Sequence, residues 1–414
     1  MYGLSQIGGG QIGGGQVADG QGKLSRLPYA VTAVLIALVW ASGSHATNVP
    51  ATPPASNNNS VSTLDSGSAL QLMAPGWNLG NTLEAIGSGA TPASTSQETA
   101  WGNPVVTQAL MDSVKAAGFK SVRIPVAWSE YAGADYTISP KWMARVTEVV
   151  NYARNSGLYV VINVHWDGGW IQPTAAQEIM VNAKLAAFWT QIATNFKDYD
   201  DHLLFAGTNE IAVKDVYSAP TPENCAAQNS FNQTFVNAVR ATGGHNATRF
   251  LVVQGYNTNI DYTIGCNATL PSDTAAGKLM MEVHDYDPYD FTLNTGNAIW
   301  QWGDKATKAS ATQTWANEGF TDGQFQKLKT TFVDKGVPVI LGEYAASLRS
   351  DYDPKGTYRN YWDQYLTHAA YSHGVIPMYW DNGYTSNHNS GLFDRGAAKP
   401  SFPDTIAAIV NAAK

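Results

Sequence analysis

At 414 residues, 44% of them hydrophobic and only 14% charged, the chain can bury a sizeable core as one large domain or two modest ones. Its net charge of -8 leaves no basic excess to hold a polyanion, which excludes nucleic acid as an expected partner. There is no Cys/His ligand spacing of a structural zinc site and no H-E-x-x-H, so no metal or other cofactor is expected.

The N-terminal segment has the pattern of processing sequence. Lys23 and Arg26 precede an apolar run from Tyr29 to Trp40, and small residues follow up to Ser44-His45-Ala46, as in a secretion signal cleaved after Ala46 (residues 1–46). The run is shorter than the ~20 residues a spanning helix needs, so no stable membrane association is expected after cleavage. Residues 1–22, rich in Gly and Gln, are expected to precede the true start. Residues 47–68, rich in Pro, Asn, Ser and Thr, read as a flexible linker, and the folded domain is expected over 69–414. The expectation is a secreted monomer.

From there, short apolar runs typical of buried parallel strands recur: Pro75 to Leu79, Ser121 to Val126, Tyr159 to Val164, Leu203 to Phe205, Phe250 to Val253, Leu279 to Val283, Pro338 to Leu341 and Val375 to Tyr379. Segments of helical periodicity lie between and after them: Thr107 to Ala117, Trp142 to Asn155, Asn182 to Phe196, Ser230 to Thr242, Asp322 to Lys335, Tyr358 to Ser372 and Phe402 to Ala413. Alternation of this kind implies right-handed parallel βαβ units. Eight of them without a dinucleotide glycine fingerprint favour an α/β fold of the closed (β/α)8 TIM-barrel type.

Such barrels place their chemistry at the C-terminal ends of the strands. Those ends carry Asn78 and Asn81, Arg123, His165, Asn209-Glu210, His284-x-Tyr286, Glu343 and Trp380-Asp381. Strands four and seven, which end in Glu210 and Glu343, face each other across a barrel. Two carboxyl groups ~5 Å apart across a sugar-sized cleft make a retaining glycosidase, whereas a gap of ~6.5–9.5 Å leaves room for water and gives inversion. For a random Glu, helix capping or an ion pair with Arg is the plainer explanation. Here the apolar strands leading into both residues argue for chemistry. Arg123 and Tyr286 could donate to one carboxylate and keep it ionised, Asn209 could bind the substrate's 2-hydroxyl beside the other, and His165 and His284 could orient substrate or acid.

The ordered set Gly76-Trp77-Asn78-Leu79-Gly80-Asn81-Thr82, Val122-Arg123-Ile124-Pro125, Asn163-Val164-His165, Asn209-Glu210, His284-Asp285-Tyr286, Gly342-Glu343 and Tyr379-Trp380 resembles the motifs of glycoside hydrolase family 5 cellulases. The resemblance runs from about Ala69 to the C-terminus. It implies a retaining endo-β-1,4-glucanase acting on β-glucan polysaccharides, with Glu210 as acid/base and Glu343 as nucleophile. It also implies Arg123, His165, Asn209, His284, Tyr286 and Trp380 around the reacting sugar. Trp166 departs from the pattern, standing where many relatives have a second His.

Trp101, Trp128, Trp166, Trp170 and Trp380 fall in or beside loops after strands, where indole rings could stack on β-linked glucose. Core packing is the plainer alternative for each. Trp166, Trp170 and Trp380, with Asn81, complete the expected substrate contacts. Cys225 and Cys266 suit a single structural disulfide between loops of the catalytic face. Asn232, Asn246 and Asn267 begin N-x-Thr sequons, which mark surface loops if the host glycosylates. A xyloglucanase, a mixed-linkage glucanase and a mannanase could use the same two carboxylates. A non-catalytic carbohydrate-binding barrel is disfavoured by the presence of both, and no G-x-S-x-G elbow supports an esterase.

Overall fold

The computed structural model describes residues 64–88, 95–266 and 270–414. The expected leader and the linker up to residue 63 lie outside the described residues. Eight parallel strands close into a barrel: β1 (Gly76–Leu79), β2 (Ser121–Ile124), β3 (Tyr159–Asn163), β4 (Leu203–Ala206), β5 (Leu251–Gln254), β6 (Leu279–His284), β7 (Val339–Glu343) and β8 (Val375–Asp381). They follow one another in chain order, and β8 returns to pair with β1. The expected TIM barrel is therefore the observed fold, with each strand within two residues of its predicted ends.

A short α1 (Ala69–Met73) precedes β1. The helices α2 (Gln108–Ala116), α3 (Pro140–Asn155), α4 (Ala175–Asn195), α5 (Pro222–Arg240) and short α6 (Ile260–Gly265) follow β1 to β5 in turn. Both α7 (Tyr289–Thr292) and α8 (Glu318–Thr331) follow β6, and α9 (Thr357–Ser372) follows β7. After β8 comes a small hairpin, β9 (Phe393–Asp394) and β10 (Lys399–Pro400), then α10 (Pro403–Ala412).

Several helices start earlier than their apolar periodicity predicts, because local chemistry sets the start. Thr221 Oγ1 accepts from Asn224 N while Asn224 Oδ1 accepts from Thr221 N, and Pro222 occupies the first turn, so α5 begins well before Ser230. In α4 the early residues Ile179 and Met180 are exposed, which hides the stripe. Packing also extends upstream of α1. Leu64 is buried against the barrel, Lys278 Nζ donates to its carbonyl at 3.0 Å and Ser66 Oγ donates to Gly277 O at 3.2 Å.

Inside the barrel, side chains of period two form layers. Near the strand starts Val161, Leu204, Val252, Met280, Ile340, Ile376 and Met378 make one apolar cluster with Met73 of α1, plugging that end. One step further along the strands the same faces carry Asn78, Arg123, Asn163, Gln254 and Glu282, all fully buried. The alternate residues, such as Val160, Ile162, Leu203, Phe205, Val283 and Leu341, belong to the main core beneath the helices.

One irregularity positions the mouth. Val283 pairs with Leu341, yet His284 pairs with Glu343, so the ladder skips Gly342. Without that slip, Glu343 would share the outward face of Val339 and Leu341. A bulge of this kind re-aims a side chain, here into the mouth. A Cβ on Gly342 would run into Glu282 Oε1 and come within 2.9 Å of His284 Nε2, so the close approach requires glycine.

Candidate active site

The strand ends bring most of the predicted residues together. Glu343 is deeply set, and both its oxygens accept: Arg123 Nη1 donates to Oε1 at 2.9 Å and the Tyr286 hydroxyl to Oε2 at 3.0 Å. Burial pushes the Glu343 carboxyl up, while His284, Arg123 and the Tyr286 hydrogen bond pull it back and Glu210 adds to the upward push. Two donors and no acceptor at its oxygens are the surroundings of an ionised carboxylate. Glu210 is more open, its side chain 23% exposed against 7% for Glu343, and its Oε1 lies 2.8 Å from His284 Nδ1. One donor atom each from Glu210, His284 and Glu343 can be chosen with all three within 4.8 Å of one another. That closeness fits the ~5 Å separation of a retaining carboxyl pair rather than the ~6.5–9.5 Å of an inverting one.

Arg123, fully buried, holds the centre. Besides Glu343 it donates through Nη2 to Asn209 Oδ1 at 2.6 Å and through Nη1 to Asn78 Oδ1 at 3.1 Å, and its Nε stands 2.8 Å from Glu282 Oε1. Burial opposes its charge, but Glu282 and Glu343 outweigh that and raise its pKa. Asn209 is therefore fixed by Arg123 through its side-chain oxygen. Asn78 is itself locked, donating to the carbonyls of Gly342, Met378 and Tyr379.

His165 sits opposite. Asn163 Oδ1 accepts from Val126 N, which orients the amide so that Nδ2 donates to His165 Nδ1 at 3.2 Å. Burial, Arg123 and His284 hold the His165 pKa well below its ordinary value, so the ring is neutral with its hydrogen on Nε2. Its plane stacks parallel to Trp380, centroids 5.8 Å apart.

His284 is the reverse case. Burial pushes its pKa down, but Glu343, Glu210 and Glu282 outweigh burial and push it up to about 9. With a carboxylate at each ring nitrogen, the charged ring has no free lone pair. The Glu210, His284 and Glu343 cluster, the group among the described residues whose donors converge closely enough for a cation, is in this state a proton-sharing set rather than a metal centre.

Other predicted residues are placed elsewhere. Trp170 donates from Nε1 to Asp167 Oδ2 at 2.8 Å, meets Phe188 edge-on and carries Lys184 Nζ 4.4 Å from its centroid, so its ring is committed to α4. Trp128 is fully buried and donates to Asn163 O. Trp101 donates to Ile86 O. By contrast Trp166 stands 47% exposed beside His165. Asn81 takes a left-handed φ of 58° and meets its neighbours through its backbone, receiving Asn103 Nδ2 at its carbonyl and donating its N–H to Glu84. Cys225 and Cys266 are bonded, joining the first turn of α5 to the end of α6. Asn232 and Asn246 are buried, donating to Gln254 O and Ala193 O respectively, so neither is a surface sequon; Asn267 lies outside the described residues.

Sequence reasoning missed Glu282 and Gln254. Gln254 Nε2 donates to Glu282 Oε2 at 2.6 Å, and Gln254 Oε1 accepts from Thr208 N, tying Glu282 to the segment that carries Asn209-Glu210. The available signal was a charged letter inside the apolar run Leu279-Met280-Met281-Glu282-Val283.

The family model described as cellulase, glycosyl hydrolase family 5, matches residues 84–386. Endoglucanase A of Paenibacillus barcinonensis is 39% identical over 341 residues, covering 78% of this chain and 84% of the relative. A xyloglucan-specific endo-beta-1,4-glucanase of Bacteroides ovatus is 41% identical over 367 residues, covering 86% and 72%. Among solved structures, the family 5 xyloglucanase from Paenibacillus pabuli superposes with a TM-score of 0.79 at 38% identity, covering 83% of this chain and 99% of that one.

Proposed function

The chain belongs to glycoside hydrolase family 5, and from this premise we propose that it cleaves internal β-1,4-glucosidic bonds of β-glucans with retention, Glu343 attacking and Glu210 serving as acid and base. The observation that carries this reading is the close, unequal carboxyl pair: Glu343 held between Arg123 and Tyr286, and Glu210 more open beside His284. In the first step a Glu343 oxygen bonds to the anomeric carbon as the glycosidic bond breaks, and the proton of Glu210 goes to the leaving oxygen. In the second, water adds at that carbon, Glu210 takes its proton, and the bond to Glu343 breaks.

Around the reacting sugar, Asn209 offers its amide to the 2-hydroxyl and neutral His165 offers Nε2–H, while Trp380 and the exposed Trp166 supply aromatic faces. The xyloglucanases among its relatives favour a second reading of the substrate, in which branched glucan is preferred. Initial rates on carboxymethylcellulose, barley β-glucan, xyloglucan and mannan separate these readings. β-Glucan hydrolysis with β-anomer released first is the expected result, and activity confined to mannan would overturn it. We also propose export: the leader-like segment before the barrel and the Cys225–Cys266 disulfide both suit an oxidising compartment. Finding the mature protein in the medium or periplasm, beginning after Ala46, is the corresponding test.

A further inference from the structure

Glu282 lies beneath the two catalytic carboxylates without reaching substrate space, and it is as buried as any residue of the apolar core. Its Oε1 stands 2.8 Å from Arg123 Nε and 3.3 Å from His284 Nε2, and its Oε2 accepts from Gln254. Arg123 in turn holds Glu343, and His284 holds Glu210. The five side chains therefore form one line of alternating charge, Glu343, Arg123, Glu282, His284, Glu210, bent so that its two ends meet at the cleft.

A charge taken out of water is tolerated only when paired and hydrogen-bonded, so Glu282 must be matched on both sides. Gly342 leaves the space for it, since a side chain there would strike both Glu282 and His284. We propose that Glu282 is a positioning residue for the reaction: by pairing with His284 Nε2 it keeps that ring protonated, so that His284 donates to Glu210 and stabilises the carboxylate left when Glu210 gives up its proton. The proposal rests on Glu210 being the acid.

The charged and titratable groups facing His284 are Glu210, Glu282 and Glu343, with Arg123, His165 and Tyr286 nearby, and the three carboxylates outweigh burial. Although burial raises the Glu282 pKa, Arg123 and His284 more than offset this and bring it down to about 2, so Glu282 is ionised across the working range. The His284 pKa is raised, so the charged ring is present below the ordinary histidine value and is lost as pH rises through about 9. Removing one neighbouring carboxylate should move that loss down by at least ~1 pH unit.

The test is the pH profile of kcat and KM for wild type, Glu282→Gln and Glu282→Asp, with imidazole NMR titration of His284 in isotope-labelled protein. Glu282→Gln is expected to lower kcat by at least ~10-fold with KM changed little, and to shift the alkaline limb downward. Glu282→Asp keeps the charge and should hold the limb near its wild-type position. In wild type the His284 ring should remain protonated at pH 8. A neutral His284 at pH 7, or a folded Glu282→Gln with wild-type kcat and profile, would overturn the proposal. If Glu282→Gln does not fold, a wild-type His284 ring found neutral at pH 7 still overturns the proposal. That titration reads the ring without activity, so an active Glu210→Gln would remove the catalytic assignment while leaving the charge line separately measured.

Discussion

The two layers inside the barrel are built on the same strands with the same period, yet one is apolar apart from the buried Ser121 and the other almost wholly polar. Val161, Leu204, Val252, Met280 and Ile340 fill the lower layer, and Asn78, Arg123, Asn163, Gln254 and Glu282 the next. The lower layer stabilises by burial alone and tolerates any well-packed apolar set of the same volume. The upper layer is stable only because each group is paired, and its yield is geometry: Arg123 points at Glu343, Asn163 sets the ring of His165, and Glu282 spans Arg123 and His284. Two residues further along those faces, the chemistry begins.

Substitutions should separate these roles, and the largest effect belongs above both layers. Glu343→Ala is expected to reduce kcat by at least ~10³-fold, and Glu210→Ala similarly on substrates with poor leaving groups, without a lower melting temperature, since each removes a carboxylate from a crowded site. Parallel initial rates and thermal melts would show it.

Arg123→Met strikes the polar layer and should damage both properties. It leaves Glu282 and Glu343 buried with one counter-charge fewer, a loss of ~3–5 kcal/mol in denaturant unfolding together with near-complete inactivation. Leu204→Ala in the apolar layer should cost ~2–5 kcal/mol while the folded enzyme keeps its kcat/KM. If that variant lost activity in proportion to stability, the separation of the layers would fail.

The smallest contrast concerns two neighbouring indoles. Trp166→Ala should raise KM on polymeric glucan by ~2- to 10-fold and leave the melting temperature unchanged, because its exposed ring supports little else. Trp170→Ala should do the opposite, lowering the melting temperature through its lost contacts with Asp167, Phe188 and Lys184.

These contrasts also mark what the sequence could show. The strands were legible because buried parallel strands are continuous apolar runs, and the polar residues closing them stood out against that background. Helix starts such as Pro222 and Ala175 were not, since caps and exposed apolar residues carry no periodicity. Position after a strand placed Trp170 in the right loop without saying which way its ring turned, and the same holds for Asn81, whose left-handed backbone engages the loop. Glu282 and Gln254 escaped because a single polar letter within an apolar run looks like tolerance. Only the period-two faces of neighbouring strands, with Gln254 paired directly to Glu282 across β5 and β6, reveal a layer, and that pairing depends on strand register. Equally hidden was the slip at Gly342 that turns Glu343 inward.

The central claim is that Glu343 forms a covalent bond to the sugar while Glu210 moves the proton. It is tested most directly by incubating the enzyme with a 2-deoxy-2-fluoro cello-oligosaccharyl fluoride and mapping the trapped adduct by peptide mass spectrometry. A single label on Glu343 is the expected result; a label on Glu210, or turnover without any covalent adduct, would contradict the account.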